Sequence, residues 1–392
     1  MTESIEAGRK TDEKIAGGER QERFVKCAER LAAWYQKNKR DLPWRENRDP
    51  YRIWISEIML QQTRVETVIP YYRRFLEKLP TVEALAEVSD DELMKLWEGL
   101  GYYSRARHLR EAARILVGQY QGVFPEEPSL LMKLPGIGRY TAGAIASIAF
   151  GVPAAAVDGN VLRVVSRLTA DGRDMQNDGV RREIGDELSD AIAACTTAGE
   201  MGAPPGKNLF PGDVNQGFMD LGSAVCPAHA EPHCTRCPLE DLCVAHRDKK
   251  ELAYPVKKPA KERRKENRTV LLVIDGDRVA VDKRPEKGLL AGLYEYPNYR
   301  GYLTEAEALD KVREMGFDPV RIRKLPPSVH IFSHLEWHMT GYKIQISSFD
   351  RKKGSGDGVF LVQKSDAEKR YAVPSAFHAY SELLFNKKGK DN

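Results

Sequence analysis

Three groups of residues in this 392-residue chain have the types and spacing that chemistry needs. The first is Leu134-Pro135-Gly136-Ile137-Gly138, with Asp158 following further along. Two glycines strip this turn of side chains and Pro135 fixes its entry, so successive N–H groups point outward from the start of the next helix. Gly136 and Gly138 thus mark a small anion site, suited to one phosphate of a nucleic-acid backbone. The apolar run Ala142 to Val157 then leads into Asp158-Gly159-Asn160. Asp158 either caps the helix starting near Val161 or is a carboxylate placed to work on a bound nucleotide.

The second group is Glu57, set in the apolar run Ile53 to Leu60. A helix that is apolar all round is buried, and a buried carboxyl holds its proton to higher pH, as a general acid must. The alternative is a structural Glu paired with Arg45 or Arg64. Gln61-Gln62-Thr63 follows at once, either a polar cluster for base edges or a solvated helix end. Glu57 and Asp158 together would suit cleavage of a glycosidic bond, one protonating the leaving group and the other stabilising the sugar cation or attacking it. For an N-glycosidic bond the leaving group is a nucleobase, which must first leave the helix stack. The third group is Cys226, Cys234, Cys237 and Cys243, separated by seven, two and five residues. Four thiolates suit zinc or a [4Fe-4S] cluster, and His229, His233 and His246 are either substitute zinc ligands or exposed loop histidines.

The chain around these groups predicts more than one domain. A charged fraction of 30% against 42% hydrophobic residues predicts soluble, globular folding. The net charge of +4 is modest, but Lys257 to Arg268 holds seven Lys or Arg against two Glu. Arg105, Arg107, Arg110 and Arg114 recur along one helical segment, a candidate backbone track. No apolar stretch is long enough to cross a membrane and the first residues do not read as a signal peptide, so a cytoplasmic, nucleoid-associated location is expected. In that reducing setting six cysteines are not a disulfide framework, and Cys27 and Cys195 read as buried free thiols.

Residues 1–23 are charged without apolar period and read as a disordered extension. From Phe24 to about residue 250 the period is helical, with Phe24, Cys27, Leu31 and Trp34 at three-to-four spacing and Ser89 placed to cap a helix. Gly199 to Asp213 reads as a long loop, and 251–268 as a basic linker. The character then changes. Thr269 to Ile274 is β-branched, Asp275-Gly276-Asp277 is a hairpin turn, and Glu305 to Met315 is helical. Residues 269–386 form a small α+β domain, followed by a short tail at 387–392.

Several stretches now combine: Leu42-Pro43-Trp44-Arg45, Trp54 to Thr63, Gly99-Leu100-Gly101-Tyr102-Tyr103, Leu134 to Gly143, Val157 to Val161 and the four cysteines. Through them the chain resembles the MutY-type adenine DNA glycosylases, within the helix-hairpin-helix superfamily that also holds endonuclease III. The resemblance runs from about Phe24 through the C-terminal domain. It implies an all-α core with an iron–sulfur subdomain and a C-terminal α+β, MutT-like domain of Nudix fold. Glu57 falls on the acid that protonates adenine N7, and Asp158 on the carboxylate that stabilises the oxocarbenium ion. Tyr140 falls on the hydroxyl residue beside that site, and Asn160 on the residue that positions Asp158. Trp44, Arg45, Leu60 and Gln216 correspond to the adenine pocket. Gln62, Thr63 and Tyr102 fall among the residues that wedge into the duplex and probe the opposite base. Phe332-Ser333-His334 matches the loop that addresses 8-oxoguanine. The cysteines resemble [4Fe-4S] ligands, with zinc as the alternative.

The implied partner is duplex DNA with adenine opposite 8-oxoguanine or guanine, bound by a monomer. Endonuclease III-like lyases carry a lysine where Tyr140 stands, so base removal without strand cutting is expected. The run of metal-binding glutamates of Nudix hydrolases is absent, so the second domain is expected to bind and not hydrolyse. Two departures stand out: seven residues between the first two cysteines where the family has six, and a longer stretch at 199–213. A thymine-glycol glycosylase/lyase is disfavoured by Tyr140 and by the C-terminal domain. A non-catalytic DNA-binding or redox-sensing protein would need neither Glu57 nor Asp158.

Overall fold

Apolar residues at helical spacing build the first part of the chain, and β-branched alternation builds the second. The computed structural model describes residues 2–196, 209–256, 262–349 and 358–385. It divides into two compact units, Met1–Glu87 with His108–Pro259, and Val88–Arg107 with Ala260–Asn392.

The helices in chain order are α1 (Thr2–Asn38), α2 (Pro50–Leu60), α3 (Val65–Lys78), α4 (Val82–Glu87), α5 (Asp90–Trp97), α6 (Ser104–Tyr120), α7 (Pro128–Leu131), α8 (Arg139–Phe150), α9 (Gly159–Thr169), α10 (Asp178–Cys195), α11 (Pro211–Asp220) and α12 (Val244–Arg247). In the first unit α1 buries Phe24, Cys27 and Leu31 against Val165 and Leu168 of α9, Ile184 and Leu188 of α10, and Val214 and Phe218 of α11. Both cysteines outside the metal-type group, Cys27 and Cys195, are buried thiols, as expected, and Cys195 donates to the Val25 carbonyl. Gly143 of α8 lets that helix touch the segment leading to Asp158: a Cβ there would stand 2.3 Å from the Ala155 carbonyl oxygen. Gly143→Ala is therefore expected to destabilise the chain by about 1–3 kcal/mol. Chemical denaturation checks this, and an unchanged midpoint would show that the contact yields freely.

In the second unit, Ser89 caps α5 by accepting from the Glu92 N–H, as the sequence predicts. The strands are β1 (Arg264–Asp275), β2 (Arg278–Lys283), β3 (Tyr294–Glu295), β4 (Asn298–Arg300), β5 (Phe317–Ile331), β6 (Leu335–Phe349) and β7 (Phe360–Gln363), and the helices α13 (Glu305–Glu314), α14 (Lys364–Arg370) and α15 (His378–Phe385). The sheet runs β3-β2-β1-β6-β5, with β4 on β1 and β7 on β2. β1 and β6 are parallel, from Arg264 opposite Leu335 to Ile274 opposite Gln345. Alternation along β1 sends Val270 and Leu272 to a core with Trp337, Phe377 and Tyr380, and Leu271 and Val273 to a second core with Ala308 and Val312 of α13. A sheet buried on both faces needs such an unbroken apolar run.

Four sequence expectations are corrected. Residues 2–23 are helical, not disordered: their Glu, Lys, Arg and Ala are helix formers, and they extend a helix already nucleated by the packed Phe24 segment. Arg20 also pairs with Glu187 and Asp171. The basic linker ends early, because Arg264–Arg268 already pair with β6. The Gly/Pro loop ends at Phe210, since Pro211 starts α11 at its first position. Its residues 199–208, like the whole tail at 387–392, lie outside the described residues. Finally, the arginines near α6 are not a free cationic track. Arg105 bonds the carbonyls of Leu100 and Gly101, Arg107 that of Ala291, and Arg114 that of Ala86.

Candidate active site

Helix α2 is buried along most of its length, and Glu57 sits in it at 5% exposure. Its carboxyl meets α8, where Tyr140 Oη donates to Glu57 Oε2 at 2.5 Å. Burial pushes Glu57 up to about 7; the Tyr140 hydrogen bond and Arg45 oppose this, and Asp158 adds to it. Tyr140 itself is raised well above the usual phenol range, by burial first and then by Glu57, so it is a donor and not an anion. Because the phenol stabilises the ionised carboxylate, Tyr140→Phe is expected to move Glu57's midpoint above about 7. Carboxyl NMR over a pH series reads this directly, and a midpoint that stayed put or fell would break the assignment.

Asp158 caps a helix and also lines the cavity described below. It is the N-cap of α9, its Oδ1 accepting from Val161 N at 2.8 Å. Its Oδ2 accepts from Asn160 Nδ2 at 2.7 Å. Burial raises its pKa, while the Val161 N–H, the Asn160 amide and Arg163 work the other way. Asn160 is held in turn by Arg163, whose guanidinium also reaches the carbonyls of Gly222 and Cys226. Gly222 lies against it, since a Cβ there would stand 2.6 Å from Asn160 Cβ.

These groups face one cavity of about 540 Å³. Of the residues singled out in the sequence, Trp44, Arg45, Glu57, Leu60, Gln62, Thr63, Tyr140, Asp158, Asn160 and Gln216 all line it. Its walls mix apolar side chains such as Trp44, Leu60 and Val157 with many polar and charged ones. Arg45 does not neutralise Glu57. It binds Asp220 instead, NH1 to Oδ2 at 2.7 Å and NH2 to Oδ1 at 3.1 Å. Sequence reading missed Asp220, although it follows Gln216 by one turn of α11. It also missed Met219, which lines the cavity beside Tyr140.

The glycine turn lies outside that cavity. It joins α7 to α8, with Gly136 at φ +76° and packed on His108, and Gly138 as an N-cap without a side-chain hydrogen bond. The first N–H groups of α8 are thus not covered by a capping side chain, as an anion site requires. Tyr102, Phe332, Ser333 and His334 belong to the second unit, where they line another cavity, of about 350 Å³. Phe332-Ser333-His334 forms the turn between β5 and β6, closed by Phe332 N–H to the Leu335 carbonyl at 2.8 Å. The Phe332 ring rests edge-on against Trp337 and His330. Gln62 and Tyr102 share a rarer feature, a positive φ, +57° and +46°. For side-chain-bearing residues that conformation is costly and concentrates at functional sites.

The cysteines gather at the end of the first unit, all part-buried. Burial, then Glu251 and neighbouring thiols, push Cys234 up to about 11, and burial with its neighbours pushes Cys237 up to about 12. Arg167 NH1 lies 3.0 Å from Cys226 Sγ. Four part-buried thiols at one end of the unit are a donor set that fits a metal group. His246 is engaged by Glu251 at 2.6 Å and Glu240 at 3.3 Å. Among the described residues, the donors drawn within 4.8 Å of one another are Cys234, His246 and Glu251, not three of the sulfurs.

Comparison with known proteins places these features. Residues 55–189 match the HhH-GPD superfamily of base excision DNA repair proteins, and 269–383 match the NUDIX domain. The adenine DNA glycosylase of Mus musculus is 35% identical over 374 residues, spanning 81% of this chain and 70% of that protein. The adenine DNA glycosylase of Buchnera aphidicola subsp. Acyrthosiphon pisum is 33% identical over 314 residues, spanning 80% and 85%. Among solved structures, a thermostable thymine-DNA glycosylase aligns with TM-score 0.48 and 28% identity, covering 59% of this chain and 99% of that one.

Proposed function

Since the chain belongs to the adenine DNA glycosylase family, with a helix-hairpin-helix GPD core and a C-terminal NUDIX-type domain, we propose that it removes adenine mispaired with 8-oxoguanine, or with guanine, from duplex DNA. The observation that carries this reading is the pair Glu57 and Asp158 at one cavity, one carboxyl keeping its proton up to about pH 7 and the other held by hydrogen-bond donors. The adenine flips into the cavity between Trp44, Leu60 and Gln216. Glu57 gives its proton to N7, which turns the base into a neutral leaving group. Asp158, at the positive end of α9, then stabilises the sugar cation. Tyr140 cannot form a Schiff base, so the strand stays intact.

The glycine turn and α8 take a backbone phosphate, and Gln62 and Thr63 stand at the cavity rim as Tyr102 stands by the Phe332-Ser333-His334 turn. The latter turn offers a serine, a histidine and an aromatic face to the oxidised base opposite, and the domain binds without hydrolysing. Cys226, Cys234, Cys237 and Cys243 would hold a [4Fe-4S] cluster, which when bound ties this subdomain together. A zinc ion held by the same four thiolates is the alternative.

The test is a single-turnover assay on a labelled duplex with adenine opposite 8-oxoguanine, beside a thymine-glycol duplex. Cleavage at adenine that appears only after hot alkali is expected. Cutting of the thymine-glycol strand without alkali would replace this reading with a lyase.

A further inference from the structure

Two of the arginines that line the cavity, Arg40 and Arg45, share one carboxylate. Asp220 is 2% exposed at the end of α11 and accepts from two arginines. Arg40 reaches Oδ1 from Nε at 3.0 Å and from NH2 at 2.7 Å. Arg45 reaches both oxygens. The two arginines differ in freedom. The Arg40 side chain is 37% exposed, while that of Arg45 is 10% exposed, with its guanidinium 5.2 Å from the Tyr35 ring centre. A buried guanidinium needs a carboxylate, and three are at hand: Glu57 and Asp158 in the cavity lining, and Asp220 bound to the lining residues Arg40 and Arg45. Asp158 is already taken by Val161 N and Asn160. Among the described residues, the side-chain hydrogen-bond partner of Glu57 is the Tyr140 phenol.

We propose that Asp220 is a positioning residue that holds the Arg45 fork away from Glu57, leaving that carboxyl free to serve as the acid. The inference rests on the glycosylase reading. A bidentate arginine–carboxylate pair is directional, so the grip fixes where the charge sits and not only that it is present. The charged or titratable groups that act on Glu57 are Tyr140 from α8, Asp158 at the start of α9 and Arg45 from the turn before α2. Arg45 is the smallest of these influences, as a guanidinium turned toward Asp220 should be. Released, it would move to Glu57, and an opposite charge at contact favours the ionised form.

The experiment is the pH dependence of single-turnover adenine excision in the full-length protein. Glu57 works when protonated, so the rate falls as pH rises through its midpoint. Asp220→Asn keeps the shape and loses the charge, and its alkaline limb is expected to move about one pH unit or more toward acid, about tenfold slower at pH 8. Asp220→Asn with Arg45→Gln removes both charges and should return the limb to its wild-type position. A uniform loss of rate with an unmoved limb, or a shift that persists in the double variant, would overturn the proposal. If Asp220→Asn does not fold, Arg45→Gln alone decides: a limb that stays in place supports a shielded Arg45, and a large alkaline shift refutes it. Absence of excision in the wild-type chain would instead sink the glycosylase reading, so the two failures are distinct.

Discussion

Glu57→Gln is expected to slow adenine excision by about 10²- to 10⁴-fold while duplex binding persists. The glutamine matches the carboxyl in size and can still accept from Tyr140, so the cavity should keep its form. What it lacks is a proton to transfer. The size of the effect follows from the leaving group: an adenine anion is a poor one, and neutralising it at N7 is the step the acid supplies. Glu57's midpoint near 7 places the proton on the carboxyl over the lower half of the physiological range. The wild-type rate should therefore fall as pH rises through about 7, and the variant's residual rate should show no such limb. Single-turnover rates across pH, with gel-shift binding on the same duplex, separate the two. Wild-type excision by the variant would move the acid elsewhere.

Asp158→Asn should lose at least about 10²-fold in rate with almost no loss of stability, and the contrast is the informative part. Asparagine caps a helix about as well as aspartate, so α9 keeps its first-turn hydrogen bond to Val161. The negative charge facing the sugar cation disappears. Asp158→Ala should lose both, with about 1 kcal/mol of stability from the missing cap. If Asp158 were only a cap, Asp158→Asn would excise normally and Asp158→Ala would fail only through unfolding. Denaturation midpoints read beside excision rates distinguish the cases. Asn160 matters here because it holds Oδ2 and is itself fixed by Arg163.

Local pattern alone was enough to mark much of this protein. The apolar run around Glu57 announced a buried carboxyl, because an all-apolar helix face leaves no water for it. The glycine turn, the cap at Asp158 and the cysteine spacing were equally legible, since each is a short-range arrangement with its own backbone geometry. The structure shows the cap at Asp158 and adds that its other oxygen is held by Asn160, which no local pattern announced. Local pattern misjudged the charged first 23 residues and the arginines near α6, because it does not show which carbonyls or carboxylates lie across a fold. Only tertiary structure brought Tyr140 to Glu57, 83 positions away, and turned Arg45 to Asp220, 175 positions away. Burial raises the pKa of Glu57, and the Tyr140 hydrogen bond opposes that rise. Desolvation and charge act through space, over a few ångströms, whatever the separation along the chain.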